Sequence, residues 1–298
     1  MLSKKIILGG AQLGNKYGIY SRGTKMKSSN ELKKIFEFSI KNNLRYIDTA
    51  HDYGNSEKVI GQLSSNKFKV ISKLNIDTKL SAKNLELFVI KKINISLTKL
   101  KKKKIDILLL HNFDKFFNNK KNLSKIYKVL VKFKNYGIIS KIGISTYYPE
   151  KIHKFFKIFK YEVVQAPLNI FDQRLLSSKF YNSKSFKNVE IHVRSVFLQG
   201  ILLKNKYPNY FKKWKKKMKL LLDFIQKNNI DPIHFCLAFV MSANRVKKVI
   251  IGVQNLSQLK EIIKRMKKKI KYNKKLFKSF IIKDDKLIIP SYWKVKNV

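Results

Sequence analysis

The chain of 298 residues sets 66 lysines and arginines against 18 aspartates and glutamates, a formal net charge of +48, with 44% hydrophobic and 12% aromatic residues. That apolar content excludes a disordered polyelectrolyte, and a single cysteine, Cys236, excludes an internal disulfide or a cysteine metal cage. Only six of the basic residues are arginine, and the lysines are spread through every expected helix alongside abundant Asn and Ile. This is the codon bias of an AT-rich genome, not the concentrated arginine of a nucleic-acid reader. The field of such a surface attracts polyanions non-specifically. No binding module accompanies it, so no specific nucleic-acid partner is expected.

The amino end, "MLSKKIILGG", has an apolar run too short for a signal peptide or membrane span, and no later run is long enough either. A cytoplasmic, reduced setting is the expectation, with Cys236 a packed helix thiol in "IHFCLAFVMSA". Short β-branched runs then recur: "KKIILG" (4–9), "RYID" (45–48), "FKVISK" (68–73), "IDILLLH" (105–111), "SKIGIS" (140–145), "EVVQA" (162–166), "VEIHVRS" (189–195) and "KKVIIG" (247–252). Between them lie helix-patterned segments, among them 29–42, 81–100, 123–136, 209–228, 232–243 and 257–269. "SSNE" reads as a cap before Leu32, Ile35 and Phe36, and Pro232 as a first-turn proline. The lysine runs at 101–104, 215–217 and 267–269 read as solvated helix faces and ends. Eight strands each followed by a helix predict one α/β domain over 1–298, a closed (β/α)8 TIM barrel. A C-terminal extension from about 272 to 298 should dock on it, with Tyr292 and Trp293 either lining a pocket or merely packing. The other architecture is a doubly wound open sheet, but "LGGAQLG" puts Ala11 where the dinucleotide fingerprint needs its second glycine.

A parallel barrel gathers its chemistry at the carboxyl ends of its strands. There the chain sets Asp48, Lys73 and His111, with Tyr53 in the loop after Asp48. Singly, each has a structural reading: a helix cap, one more solvated lysine, a satisfied histidine, a loop tyrosine. Together they suit carbonyl reduction, in which a developing alkoxide must receive a proton. A phenol supplies it, Lys73 lowers the phenol's pKa, Asp48 orients Lys73, and neutral His111 polarises the carbonyl.

The blocks "IDTAHDYGNSEKVIG", "ISK", "LLLH", "GISTY", "VVQAPLNIFDQR", "RSVFLQGILL" and "VIIGVQNLSQLKE" resemble, in order, those of the aldo/keto reductase family. The resemblance implies a barrel that binds NADPH in extended form, with Tyr53 as acid/base, Lys73 and Asp48 tuning it, and His111 orienting a small-molecule carbonyl substrate. It also implies cofactor contacts from Gln12, Asp48, Ser145, Thr146 (usually Asn in the family) and Gln165. Arg194 stands where many members stack an aromatic ring on the nicotinamide. Ser195, Phe197, Gln199 and Gly200 fall in the pyrophosphate loop, Asn169 shapes the pocket, and Gly252, Gln254, Gln258 and Glu261 face the adenosine. Gln254 and Asn255 replace the basic or hydroxyl grip on the 2′-phosphate, so NADPH is expected with NADH possible.

Two other classes remain open: a cofactor-binding sensor barrel with little turnover, and a polyanion-binding protein on an inherited barrel. "GGAQLGNKYGI" resembles members tied to bacterial surface-sugar pathways, which implies a keto- or aldehyde-bearing sugar derivative as substrate. Oligomeric state is not legible.

Overall fold

Eight short parallel strands close on themselves. The structure, a computed structural model, describes residues 2–14, 18–19, 28–64, 67–266 and 274–295. The strands are β1 (Ile6–Gly9), β2 (Tyr46–Asp48), β3 (Lys69–Leu74), β4 (Ile105–Leu110), β5 (Ile139–Ser145), β6 (Val163–Pro167), β7 (Glu190–Arg194) and β8 (Val246–Gly252). Each pairs with its sequence neighbour. β1 then pairs with β8, from Ile6↔Val249 to Gly9↔Gly252. The expected (β/α)8 barrel is therefore what the chain forms, and this closure excludes the open sheet.

A period of two builds the interior. Ile7, Ile71, Ile107, Leu109 and Val163 fill the barrel. Their strand neighbours Ile6, Leu8, Ile47, Val70, Leu108 and Leu110 join the larger core beneath the helices. A fully buried side chain of this kind contributes about 1.5–3 kcal/mol. At the amino-terminal end of the barrel, Lys141 Nζ lies 2.7 Å from Glu190 Oε1 and His192 Nε2 lies 3.3 Å from Glu190 Oε2. These partners hold the Glu190 carboxyl down to about 2, the His192 hydrogen bond first.

The helix signals hold locally. Ser28 and Glu31 form a reciprocal capping box before Ser29–Lys41, which buries Leu32, Ile35 and Phe36. Asp231 caps Pro232–Met241 by accepting from His234 N at 2.7 Å, and that helix buries Cys236. Lys101, at φ 51°, ends Ala82–Leu100. Lys101, Lys103 and Lys104 are exposed, as are Lys215 to Lys217, while the run at 267–269 lies outside the described residues.

The expectation of a full helix after every strand is not met. β5 is followed by a single 3-10 turn, Ile152–Phe155, and β6 by the one-turn helices Arg174–Ser177 and Lys179–Asn182. The first of these connections buries rings instead of a helical stripe: Phe155 and Phe159 pack on Phe113, and Phe156 packs on Tyr161. Segment 209–228 likewise begins as a 3-10 turn (Asn209–Trp214) before the α-helix Lys215–Lys227.

Residues 274–295 lie over the loops that follow β5, β6 and β7. Ile282 N donates to Phe171 O at 3.0 Å, and Gln173 Nε2 donates to Phe277 O at 2.6 Å. Arg174 bridges Asp172 (2.9 Å) and Asp285 (3.0 Å). The Tyr148 and Tyr292 hydroxyls meet at 2.9 Å, while Trp293 packs edge-on against Phe211 and donates to Leu287 O. The remainder of the expected extension, 272–273 and 296–298, lies outside the described residues.

Candidate active site

Asp48 ends β2, Lys73 is the penultimate residue of β3, and His111 follows β4 directly. Inward alternation turns all three toward the carboxyl-terminal mouth of the barrel. Lys73 Nζ donates to Asp48 Oδ2 at 2.6 Å and to Thr49 O at 2.7 Å, with Lys73 1% exposed. The loop that carries Tyr53 is pinned from several sides. His51 N donates to Lys73 O, Ser56 N to Tyr53 O, and the Ser56 hydroxyl to Gly10 O. Gly14 has to be glycine, because a Cβ there would collide with Tyr53 O and Ser56 N. The Tyr53 ring then stands with its face 4.8 Å from Lys73 Nζ and edge-on to His111, ring centroids 5.8 Å apart.

Burial, then Asp48, push the Tyr53 phenol well above its usual range, with Arg194 opposing. The net direction is opposite to the lowering by Lys73 expected from sequence. Asp48 at 2.6 Å neutralises the ammonium, so burial dominates. Tyr53 therefore carries its proton. His111 is driven down to about 3 by burial, then Lys73 and Arg194, and is neutral at pH 7. Burial also lowers Lys73, opposed by Asp48.

The other polar groups of "TAHDYGNSE" brace the loop. Buried Glu57 accepts from Ser72 Oγ (2.7 Å) and Ser96 Oγ (3.2 Å), His51 Nε2 lies 2.7 Å from Lys92 Nζ, and Asp52 is exposed.

Gln165, in the middle of β6, donates its amide to Asp48 Oδ1 at 2.7 Å, tying the residue expected at the nicotinamide into the Asp48–Lys73 pair. Ser145 is buried beside it in register. The Thr146 hydroxyl donates to Asp114 Oδ1 and accepts from Tyr148 N, while Asp114 Oδ2 accepts from Tyr147 N at 2.7 Å. Sequence reading missed Asp114 and Tyr147 as site residues, although "HNFD" after strand four and "GISTY" carried them. Arg194 lays its guanidinium 4.0 Å from the Tyr147 centroid and donates to Thr146 O at 3.2 Å. Asn169 braces the next loop, donating to Ser195 O and accepting from Phe171 N and Asp172 N.

The residues expected at a dinucleotide lie on or after β1, β2, β5, β6, β7 and β8. After β7 the backbone is left-handed at Ser195 (φ 60°), then at Leu198, Gln199 and Gly200 (φ 45°, 53° and 93°) following a right-handed Phe197. Alternation of this kind forms anion-binding concavities. At Gly252, a Cβ would come 3.0 Å from Gln12 Oε1, so the strand end stays open beside that amide. Gln258 accepts from Gln254 N (2.8 Å), donates to Gln254 Oε1 (3.3 Å) and takes its own N–H to Asn255 Oδ1. Glu261 pairs one turn on with Arg265 at 2.7 Å. The Ser145 hydroxyl in register with the Gln165 amide, a turned backbone after β7 and a neutral Gln254–Gln258 pair suit the carboxamide, phosphates and adenosine of a nicotinamide dinucleotide.

A closed parallel barrel with an ion-paired lysine, a protonated tyrosine and a neutral histidine at its mouth is an arrangement that suits the reduction of carbonyl groups. The model of the aldo/keto reductase family matches residues 5–280, and the chain belongs to that family, whose members are NAD(P)H-dependent oxidoreductases. Similar solved structures include the aldo-keto reductase AKR11C1 from Bacillus halodurans in its holo form, at 17% identity and TM-score 0.73, covering 93% of this chain and 91% of that one. Another is the glycerol dehydrogenase AKR11B4 from Gluconobacter oxydans, at 18% identity and TM-score 0.68, covering 96% and 92%. Compared with curated proteins, the sequence has no match. Among the described residues, no helix is long and apolar enough to cross a membrane.

Proposed function

We propose that the protein reduces an aldehyde or ketone, with Tyr53 as the proton donor. Bound reduced nicotinamide dinucleotide supplies the hydride to the carbonyl carbon. The carbonyl oxygen gains charge and takes the proton from Tyr53 Oη. Neutral His111 donates a hydrogen bond to that oxygen and positions it. Lys73, held by Asp48 and facing the ring, stabilises the phenolate left behind. Ser145, Thr146 and Gln165 orient the carboxamide. NADPH is the favoured cofactor and NADH is accepted, because the Gln254–Asn255 pair meets the 2′-phosphate without charge. A keto- or aldehyde-bearing sugar derivative is the proposed substrate, on the resemblance of the "GGAQLGNKYGI" opening.

The observation that supports this reading most directly is the convergence of Lys73 on Asp48 at 2.6 Å with Tyr53 and His111 edge-on beside them. The test is oxidation of NADPH and NADH with a panel of aldehydes and ketones, sugars included. Turnover with some members supports the proposal. Cofactor binding without turnover of any member would favour the sensor barrel instead.

A further inference from the structure

The loop between β2 and helix Ser56–Leu63 carries Tyr53, and His51, two residues earlier, fastens it at two points. Its backbone N–H donates to Lys73 O at 3.1 Å. Its ring nitrogen Nε2 lies 2.7 Å from Nζ of Lys92, in the middle of helix Ala82–Leu100. An ammonium has only donors, so Lys92 donates and the imidazole accepts. That direction fixes the tautomer: the ring proton sits on Nδ1, which faces Glu57 Oε2 at 3.9 Å. Glu57 in turn is held by the hydroxyls of Ser72, beside Lys73 in the chain, and Ser96, one turn on from Lys92. A second proton on the ring would remove the acceptor and set two cations 2.7 Å apart. The charges facing the ring are Lys92 and Lys99 from helix Ala82–Leu100, Glu57 from helix Ser56–Leu63 and Asp52 from the loop. Burial, then Lys92, hold the imidazole below its ordinary 6.5, with Glu57 opposing, so the ring is neutral at pH 7.

We infer that His51 and Lys92 are positioning residues for the proton donor: their hydrogen bond latches the Tyr53 loop onto helix Ala82–Leu100, and the latch holds only while the imidazole is neutral. This rests on the reading of Tyr53 as proton donor and gives that reading an acid-sensitive support. Neither residue touches the reacting atoms; both act through the place of the phenol. A misplacement of about 1 Å at a reacting group costs about 10²-fold in rate.

The test is single-turnover reduction of 4-nitrobenzaldehyde by the NADPH-loaded protein on both sides of pH 6.5, with NADPH affinity titrated in parallel. At pH 7, His51→Leu and Lys92→Met should each slow reduction by about tenfold or more, the scale of a hydrogen bond to a charged group. The double variant should be no slower than either, because both remove one contact. NADPH affinity should change little in any of them. His51→Gln should recover most of the rate, since its carbonyl oxygen accepts from Lys92 at any pH. The wild-type rate should fall as pH drops below 6.5, and His51→Gln should lack that fall. Lys92→Met, on the helix, tests the same contact if His51→Leu does not fold. Wild-type rates in His51→Leu or Lys92→Met, additive losses in the double variant, or an acid limb kept by His51→Gln would each overturn the inference. If no aldehyde or ketone is reduced, the carbonyl reading fails separately, and hydrogen exchange of the amides of residues 49–56 at pH 7, read by mass spectrometry, decides the latch. Faster exchange in His51→Leu and Lys92→Met, with wild-type exchange in His51→Gln, supports it; equal exchange in all of them overturns it.

Discussion

Lys73 Nζ sits 2.6 Å from Asp48 Oδ2, with the two side chains 1% and 6% exposed, and the other Asp48 oxygen receives the Gln165 amide. A buried ion pair is costly to break from one side, by about 3–5 kcal/mol, because it strands a charge. Asp48→Asn should therefore destabilise the protein by about that amount, and adding Lys73→Met should recover most of the loss. Urea unfolding of the two variants checks this. A double variant no more stable than Asp48→Asn would mean that Asp48 acts through contacts other than Lys73.

Tyr53→Phe removes the donor hydroxyl and leaves the ring between Lys73 and His111. Turnover should fall by about 10²-fold or more, the scale of a lost general acid, with cofactor affinity nearly unchanged. Single-turnover reduction measures it. A loss of only a few-fold in a chemistry-limited reaction would take Tyr53 out of the proton transfer.

Lys73→Met leaves Asp48 uncompensated beside the phenol. Burial and Asp48 already hold the Tyr53 phenol well above its usual range, so losing the cation that faces the phenolate should lower turnover across the pH range in which the phenol keeps its proton. A profile superimposable on the wild type would make Lys73 a purely structural group.

His111 has a folded-state pKa of about 3 against an ordinary 6.5. Between these values the unfolded chain binds the extra proton, so stability rises with pH across that window. The contribution is complete above about 6.5 and is lost as pH falls toward 3. His111→Gln should have a flatter stability profile than the wild type between these limits, read by urea unfolding at several pH values. Identical slopes would place the acid sensitivity in other groups.

Gln254 and Gln258 hydrogen-bond to each other, and in the proposed function the uncharged Gln254–Asn255 pair meets the 2′-phosphate. Charge-assisted contacts are roughly twice as strong as neutral ones. NADPH should therefore be preferred over NADH by only about tenfold, or about 1.4 kcal/mol, and Gln254→Arg should widen the gap. Titration of both cofactors at physiological salt measures it; a preference of about a thousandfold would reveal a charged clamp elsewhere.

The eight strands were legible in the sequence because each is a short β-branched or apolar run set between helix-patterned segments, and in the barrel these runs are buried along most of their length. Asp48, Lys73 and His111 were legible for the same reason: a residue at the carboxyl end of a barrel strand has one place to go. Helix caps such as Ser28–Glu31 are equally local. Which partner each polar group takes is decided across the barrel, by register between strands far apart in the chain. Gln165 reaches Asp48 from four strands away, Asp114 takes the Thr146 hydroxyl, and Tyr147 receives Arg194. The Tyr53 pKa belongs with these: its direction depends on burial and on the Asp48–Lys73 separation, neither of which a spacing of residue types contains. Likewise, the connections after β5 and β6 have apolar residues enough for full helices, but they bury rings in place of stripes, because tertiary packing outweighs the modest local preference for helix.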